Sequence, residues 1–180
     1  VKDANNNTMG GATVTWATSS SSVATVSSAG LVTAIANGTA TITAISGSAS
    51  ATATTTVSQV ASSITLAPTS LSFASVDDTT TLVPTVKDAN NNTIPSPTVT
   101  WATSSSSIAT VSSAGLVTAI ADGSSTITAT SGSVNATATA TVSQVVSSVG
   151  LSAASVSLTS PGDTAQLTAT VRDANANTIG

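Results

Sequence analysis

The stretch VTWATSSSSIATVSSAGLVTAIADGSSTITA, residues 99–129, decides the fold of this chain. It alternates apolar residues with Thr and Ser in short runs, and turn signals separate the runs, such as Ser-Ser-Ala-Gly at 112–115 and Asp122-Gly123. Alternation with a period of two is typical of half-buried β-strands, and Asp-Gly is a common signal for a hairpin turn. Because no segment combines a helical apolar period with helix-forming residues, the stretch predicts β-structure throughout.

Nearly the same stretch occurs at residues 14–44, so the chain is a tandem repeat with a period of 85 residues. Residues 1–60 match residues 86–145 at 48 of 60 positions without a gap. The octapeptide VKDANNNT starts at Val1 and Val86 and returns as VRDANANT at Val171. A unit of this length can bury one modest hydrophobic core.

The complete repeat is predicted to contain seven or eight short strands. We place them at 62–68 and 70–75 (one strand broken by Pro68), 79–88, 97–104, 108–111, 115–121, 124–132 and 134–144, with a loop at 88–97. Pro84 cannot donate a ladder hydrogen bond and therefore indicates an edge strand or a bulge. Val99 and Trp101 are predicted to share one face of their strand. This many short strands with regular turns favours an all-β sandwich of two sheets.

The 99–129 stretch resembles the core of the bacterial Ig-like group 2 family. The similarity covers essentially the whole chain, including SSITLAPTSLSFASVDDTTTLVPTVKDANNNTI at 62–94 and ATATVSQV at 138–145. Domains of this family occur in intimin- and invasin-like adhesins and other bacterial surface proteins. The resemblance implies tandem Ig-like β-sandwich repeats of 85 residues, an extracellular structural or adhesive role, and no shared catalytic site.

The resemblance also sets the phase of the repeats. It implies a complete repeat at 61–145, an incomplete repeat at 1–60 that lacks its first two strands, and the first two strands of a further repeat at 146–180. The connecting segments at 57–62 and 142–147 contain neither Gly nor Pro. We therefore expect the last strand of one repeat to run almost directly into the next, which favours a semi-rigid array. No signal peptide is recognised, as expected for a sequence that starts inside a repeat.

The composition excludes several classes of function. Only 6% of the residues are charged, with seven acidic and three basic side chains (Lys2, Lys87 and Arg172). Nucleic acids and anionic membranes need clustered Lys or Arg, and no apolar run is long enough to insert into a bilayer. The chain has no Cys, so it has no disulfide framework. Because His, Cys and Glu are all absent, we predict no enzyme activity and no catalytic residue.

A weak calcium candidate lies in the loop DANNN at 88–92. Asp88, Asn90 and Asn92 alternate as oxygen ligands do at the start of a calcium-binding loop, but the Gly and the distal Glu of an EF-hand are missing. Asp and Asn are also common in tight turns, which is the favoured interpretation. Asp77-Asp78 is likewise expected to be a solvated turn. No other cofactor is predicted.

Two further surface patterns are present. Thr residues alternate along two predicted strands, at 52, 54 and 56 and at 137, 139 and 141; such rows occur in ice-binding proteins, but Thr is also common on exposed strand faces. Four Asn-X-Ser/Thr sequons place possible glycosylation at Asn6, Asn37, Asn91 and Asn135.

The leading hypothesis is a structural segment of a long extracellular repeat protein, forming a rod-like stalk, fibre or coat at the cell surface. Its partners would be neighbouring repeats of the same chain or identical chains, the latter forming a homopolymer. One alternative is a self-assembling filament, in which residues 146–180 complete the repeat 1–60 of the next chain. The other is a glycan- or receptor-binding adhesin module, although both Trp residues occupy core-type strand positions.

Overall fold

The computed structural model describes all 180 residues, which form sixteen β-strands and no helix. The all-β prediction is therefore confirmed. The chain divides into two compact units, residues Val1–Gln59 (unit 1) and Val60–Gly180 (unit 2). No helix is available that could cross a membrane.

Unit 1 contains five strands. They are β1 Thr15–Thr18, β2 Ala24–Val26, β3 Val32–Ala34, β4 Gly38–Ser46 and β5 Ala49–Val57. β1, β4 and β5 form one antiparallel sheet, and β2 pairs with β3. Residues 61–85 of the repeat have no counterpart in this unit. Accordingly, its fully buried apolar residues are few: Ala24, Ala40 and Ile42.

Unit 2 contains the complete repeat. Its strands are β6 Ser63–Ala67, β7 Ser70–Phe73, β8 Thr79–Thr81, β9 Val83–Lys87, β10 Thr100–Thr103, β11 Ala109–Val111, β12 Leu116–Ala119, β13 Gly123–Ser131 and β14 Val134–Val142. The large sheet has the order β10-β13-β14-β7, and two smaller sheets, β11-β12-β8 and β6-β9, complete the fold. A single apolar cluster contains residues from all three sheets, such as Ile127 of the large sheet, Val117 of β12 and Val86 of β9.

The long hairpin of β13 and β14 shows why this sequence forms a sandwich. Ile127, Ala129, Ala138 and Ala140 are buried on one face, whereas Thr128 between the first two is half-buried and Thr139 between the last two is exposed. This is the outcome that an alternation of apolar and hydroxyl residues requires. Gly132, at φ 58°, supplies the left-handed residue of the two-residue connection between the strands.

Each of the first two predicted strand regions is divided into two strands that belong to different sheets. β6 pairs with β9, whereas β7, which follows Pro68, pairs in parallel with β14. In the same way β8 pairs with β12 before the chain passes Leu82, which is buried, into β9. β9 has β6 as its only partner, so Pro84 lies in an edge strand, as one of the two predicted options required.

A glycine packed on a tryptophan ring closes the core at the predicted turn 112–115. Gly115 has φ 80°, and its N–H donates to the carbonyl of Ser112 at 3.0 Å. A Cβ atom at this position would lie 2.7 Å from the carbonyl oxygen of Leu82 and 2.8 Å from Cζ2 of Trp101. Trp101 and Val99 both pack against the core, as predicted from their shared face.

The predicted hairpin turn at Asp122-Gly123 is wrong. β12 and β13, which flank this dipeptide, belong to different sheets. Instead, Oδ1 of Asp122 accepts a hydrogen bond from the backbone N–H of Gln144 at 2.8 Å. Gly123 has φ 139° and a Cβ there would lie 2.8 Å from Cδ1 of Ile108. The dipeptide therefore lies where the chain crosses from one sheet to the other, and Gly123 allows the close approach of Ile108.

Residues after the complete repeat continue in unit 2 as β15 Ser148–Leu151 and β16 Ala169–Arg172, which pair with each other. They correspond to β6 and β9 at the 85-residue offset. The connecting segment is held along its length, since Ser143 and Val145 donate to carbonyls of Phe73 and Ala74, and Ser147 donates to the carbonyl of Arg172.

Candidate functional site

The octapeptide repeat contains a five-residue turn that forms three times with nearly the same geometry. We call residues 3–7, 88–92 and 173–177 the Asx loops. In each, an Oδ1 of the leading Asp accepts the backbone N–H groups of the third and fifth residues at 2.8–3.0 Å. The N–H of the leading Asp also donates to the carbonyl of the fifth residue at 2.9 Å. The fourth residue is left-handed in all three, at φ 65–66°.

This geometry accounts for the calcium candidate. The Asp88 carboxylate is directed at its own loop: Oδ1 accepts from the N–H groups of Asn90 and Asn92, and Oδ2 accepts from Nδ2 of Asn92 at 3.4 Å. The alternation of Asp and Asn thus produces an Asx-type turn in which the carboxylate binds backbone amides. No group of three or more His, Cys, Asp and Glu side chains could hold a metal ion. A structural turn therefore stays the favoured interpretation of this loop, and calcium binding is the alternative to be tested.

The third Asx loop contacts a second loop of unit 2. That loop is Ser75–Asp78, which we call the SVDD turn. Oδ2 of Asp173 accepts the backbone N–H of Val76 at 3.0 Å and Nε2 of Gln144 at 2.9 Å. The N–H of Ala174 donates to Oγ of Ser75 at 3.3 Å. Asp173 is only 2% exposed, although it belongs to a surface loop.

Two amide side chains extend this contact. Nδ2 of Asn175 donates to the carbonyl of Val76 at 2.7 Å and to Oδ1 of Asp78 at 3.0 Å. Nδ2 of Asn177 donates to the same carbonyl at 3.1 Å and to Oδ2 of Asp77 at 3.3 Å. These two amides of the Asx loop donate to oxygen acceptors of the turn, whereas the carboxylate of Asp173 accepts the N–H of Val76 in the opposite direction.

The SVDD turn is itself held in place by the sandwich. The N–H of Asp77 donates to the carbonyl of Ala119 at 3.0 Å, and the N–H of Ala119 donates back to the carbonyl of Asp78 at 2.9 Å. Oδ2 of Asp78 accepts the N–H of Ser75, and Asp77 is left-handed at φ 68°. The turn is thus anchored at the end of β12, independently of the Asx loop. The residue types of Asp77-Asp78 predict a solvated turn but do not indicate its contact with the Asx loop.

The electrostatics of Asp173 follow from these contacts. Burial alone would raise the pKa of Asp173, but hydrogen bonds from Gln144, Asn177, Val76 and Asn175 outweigh it and hold the pKa below the ordinary value of 3.8. The carboxylate is therefore ionised at neutral pH. The other two carboxylates of this contact, Asp78 and Asp77, accept the side-chain amides of Asn175 and Asn177.

The other predicted positions lie on the surface. Asn6, Asn37, Asn91 and Asn135 are all exposed, although Oδ1 of Asn37 already accepts the N–H of Gln59 at 2.7 Å.

The Thr rows at 137, 139 and 141 and at 52, 54 and 56 are exposed on β14 and β5. Most of their partners on β13 and β4 are again Thr, so each row belongs to a neutral hydroxyl face.

Unit 1 has an open groove lined by Val1, Val14, Trp16, Ala49 and Ala51, among others. Trp16 is 37% exposed there. In the complete repeat the counterparts of Val14, Trp16, Ala49 and Ala51 pack against the core that contains Ile64 and Leu66 of β6. The groove is therefore the place that a strand equivalent to β6 would cover.

The fold and its loop contact define a β-sandwich that is hydrogen-bonded to the Asx loop after β16. The profile of the bacterial Ig-like domain (group 2) matches residues 2–57 and 60–142, so the chain belongs to this family. The Ig-like prediction is confirmed.

One curated relative and two solved structures give the wider context. The chain is 32% identical over 184 residues to "Ice-binding protein 1" of Shewanella frigidimarina (strain NCIMB 400), covering 93% of the chain and 20% of that protein. It is 25% identical to the S-layer protein SbsC, with a TM-score of 0.46 and coverage of 99% and 26%. For Yersinia pseudotuberculosis InvD the identity is 15%, the TM-score 0.40 and the coverage 99% and 65%. These TM-scores are too low to transfer an assembly or a function.

Proposed function

We propose that the chain is a structural segment of an extracellular bacterial repeat protein, which extends as a semi-rigid rod in a stalk, fibre or surface coat. The observation that carries this proposal is the contact between the Asx loop 173–177 and the SVDD turn. Together with the hydrogen-bonded connection at 143–147, it leaves little freedom between the complete repeat and the segment that follows. Family membership supports an array of Ig-like modules. Nothing in the donor set of the chain supports catalysis.

Arrays of increasing length test this function. We expect two, four and six repeats, measured by small-angle X-ray scattering, to gain a constant length of roughly 30 Å or more per repeat, given strands of 8–10 residues. Growth with the square root of the repeat number would instead indicate a flexible string. Antibodies against residues 61–145 should also label intact producing cells, and external protease should remove the label. Label that appears only after lysis would contradict the extracellular assignment.

The second candidate is a filament formed by strand complementation. Val149 and Leu151 of β15 are 61% and 60% exposed, whereas their counterparts Ile64 and Leu66 in β6 are 8% and 7% exposed. These apolar residues match the open groove of unit 1, so β15 of one copy could cover the groove of another.

Electron microscopy and light scattering of the 180-residue chain decide this candidate. Complementation predicts concentration-dependent fibres, and the double substitution Val149→Asp, Leu151→Asp should abolish them. Substitution of Thr137 and Thr139 by Asp is the matched control, because it adds the same charge to an exposed face outside the groove. A chain that stays monomeric at high concentration would exclude complementation.

A further inference from the structure

We propose that the Asx loop 3–7 is a docking surface whose partner is the SVDD turn of another copy of the repeat. This inference rests on the proposed function, because it names the contact that joins one repeat to the next. Loops 3–7 and 173–177 have nearly identical sequences and backbone geometry but different surroundings. Asp173 is buried against the SVDD turn, whereas Asp3 is exposed.

The two loops differ in the contacts of the fifth residue. In loop 3–7, Nδ2 of Asn7 donates to Oδ2 of Asp3 at 3.2 Å. In loop 173–177, the corresponding amide of Asn177 donates to Val76 and Asp77, and Oδ2 of Asp173 accepts from Val76 and Gln144 instead. The backbone of the loop is the same in both, so docking requires only that one side-chain hydrogen bond within the loop be exchanged for contacts with the partner.

The chemistry of the partner follows from the donors and acceptors. Asn side chains at the third and fifth positions face a carbonyl and two carboxylates, so an acidic turn with a free N–H at its second residue is required. The segment 146–180 offers a natural comparison, because its equivalent turn is Ser160-Pro161-Gly162-Asp163. Pro161 has no N–H and Gly162 has no carboxylate, so this turn lacks one donor and one acceptor of the SVDD turn. An Asx loop should therefore dock more strongly on SVDD than on SPGD.

Amide hydrogen exchange at Val76 reports the contact directly, because its N–H donates to the carboxylate of the following repeat. In the 180-residue chain, Asn175→Asp keeps the shape of the loop but places a carboxylate against Asp78 and the Val76 carbonyl. We expect exchange at Val76 to accelerate on the order of 10- to 100-fold. The matched control is Asn5→Asp, the same change in loop 3–7, which should leave exchange at Val76 unchanged.

A head-to-tail fusion then tests loop 3–7 itself. Residues 1–170 followed by residues 1–180 keep the 85-residue phase and place the second copy's loop 3–7 after the first copy's SVDD turn. In this fusion, Asn5→Asp in the second copy should accelerate exchange at Val76 of the first copy, although it has no such effect in the single chain. When the first copy's Val76-Asp77 is replaced by Pro-Gly, Asn5→Asp in the second copy should no longer change amide exchange in the second copy's Asx loop.

These exchange measurements distinguish loss of docking from unfolding of the variant. Unchanged exchange at Val76 in the fusion variant would overturn the proposal, and unchanged exchange in Asn175→Asp would overturn the contact on which it rests. Faster amide exchange throughout the β13–β14 hairpin would show that the Asn175→Asp variant had unfolded. Asn175→Ala would then be used in its place, because it removes the donor without adding charge. It should also accelerate amide exchange at Val76. A chain absent from the cell surface would refute the proposed function but leave the docking result intact, so the two failures are distinguishable.

Discussion

The contact between Gly115 and Trp101 predicts how strongly a substitution of this glycine lowers the free energy of unfolding. Gly115→Ala introduces a Cβ that meets the carbonyl oxygen of Leu82 at 2.7 Å and the Trp101 ring at 2.8 Å, in a residue with φ 80°. The left-handed conformation costs an Ala about 1–2 kcal/mol, and overpacking of the core adds about 1–3 kcal/mol. We therefore expect Gly115→Ala to lower the free energy of unfolding of unit 2 by roughly 2–5 kcal/mol.

Gly132→Ala is the matched control. Gly132 is also left-handed, at φ 58°, but a Cβ there meets only the Ala61 Cβ at 4.0 Å. It should therefore cost about 1–2 kcal/mol, the conformational part alone.

Urea denaturation followed by Trp101 fluorescence, in a Trp16→Phe background, measures both variants in unit 2. At an m-value of about 1.5 kcal/mol/M, the two midpoints should differ by roughly 1–2 M. Equal midpoints would refute the contact between the glycine and the ring.

Four further predictions follow from the structure. Ile127→Ala should destabilise unit 2 by about 2–5 kcal/mol, whereas Ile42→Ala should cost less because unit 1 has few buried neighbours; calorimetry of the two variants checks this. Hydrogen bonds from the N–H of Asn7 and of Thr159 hold the pKa values of Asp3 and Asp163 below 3.8, and the pKa of Asp173 is lowered as well. The ionised carboxylates therefore stabilise the fold at pH values above 3.8. Their contribution is lost as the pH falls through the lowered pKa values. Melting temperatures should therefore be flat from pH 8 to pH 5 and fall below about pH 4, and a large shift between pH 5 and 8 would contradict this. Millimolar calcium should leave the melting temperature unchanged; a rise that Asp88→Asn abolishes would instead establish a site in that loop. Melting temperatures should also vary little between low and high salt, because the exposed sheet faces are neutral, and a strong salt dependence would point to ion pairs that this arrangement does not provide.

Local patterns predicted most of the fold but little of the site. The strands of the 99–129 stretch follow from alternation, and Val99 and Trp101 face the core because a strand has a period of two. Asp122-Gly123 was misjudged because the same dipeptide serves both a hairpin and a crossing between sheets, and only the position of Gln144 distinguishes them. The docking of Asp173 on Val76 joins residues 97 positions apart, so its local sequence reveals the turn but not the partner.

The seven Asp residues show how an almost uncharged chain uses its few charges. Six of them accept backbone N–H groups of turns or strand ends: Asp3, Asp78, Asp88, Asp122, Asp163 and Asp173. The seventh, Asp77, accepts the amide of Asn177 at the loop contact. Asn37 replaces Asp122 at the equivalent position of unit 1 and accepts the same type of bond, which indicates that the acceptor oxygen matters there more than the charge. Carboxylates in this chain therefore fix turns and the contact between the Asx loop 173–177 and the SVDD turn, and the sheet faces between them remain neutral hydroxyl surfaces. An array of such repeats would gain length without accumulating charge on those faces.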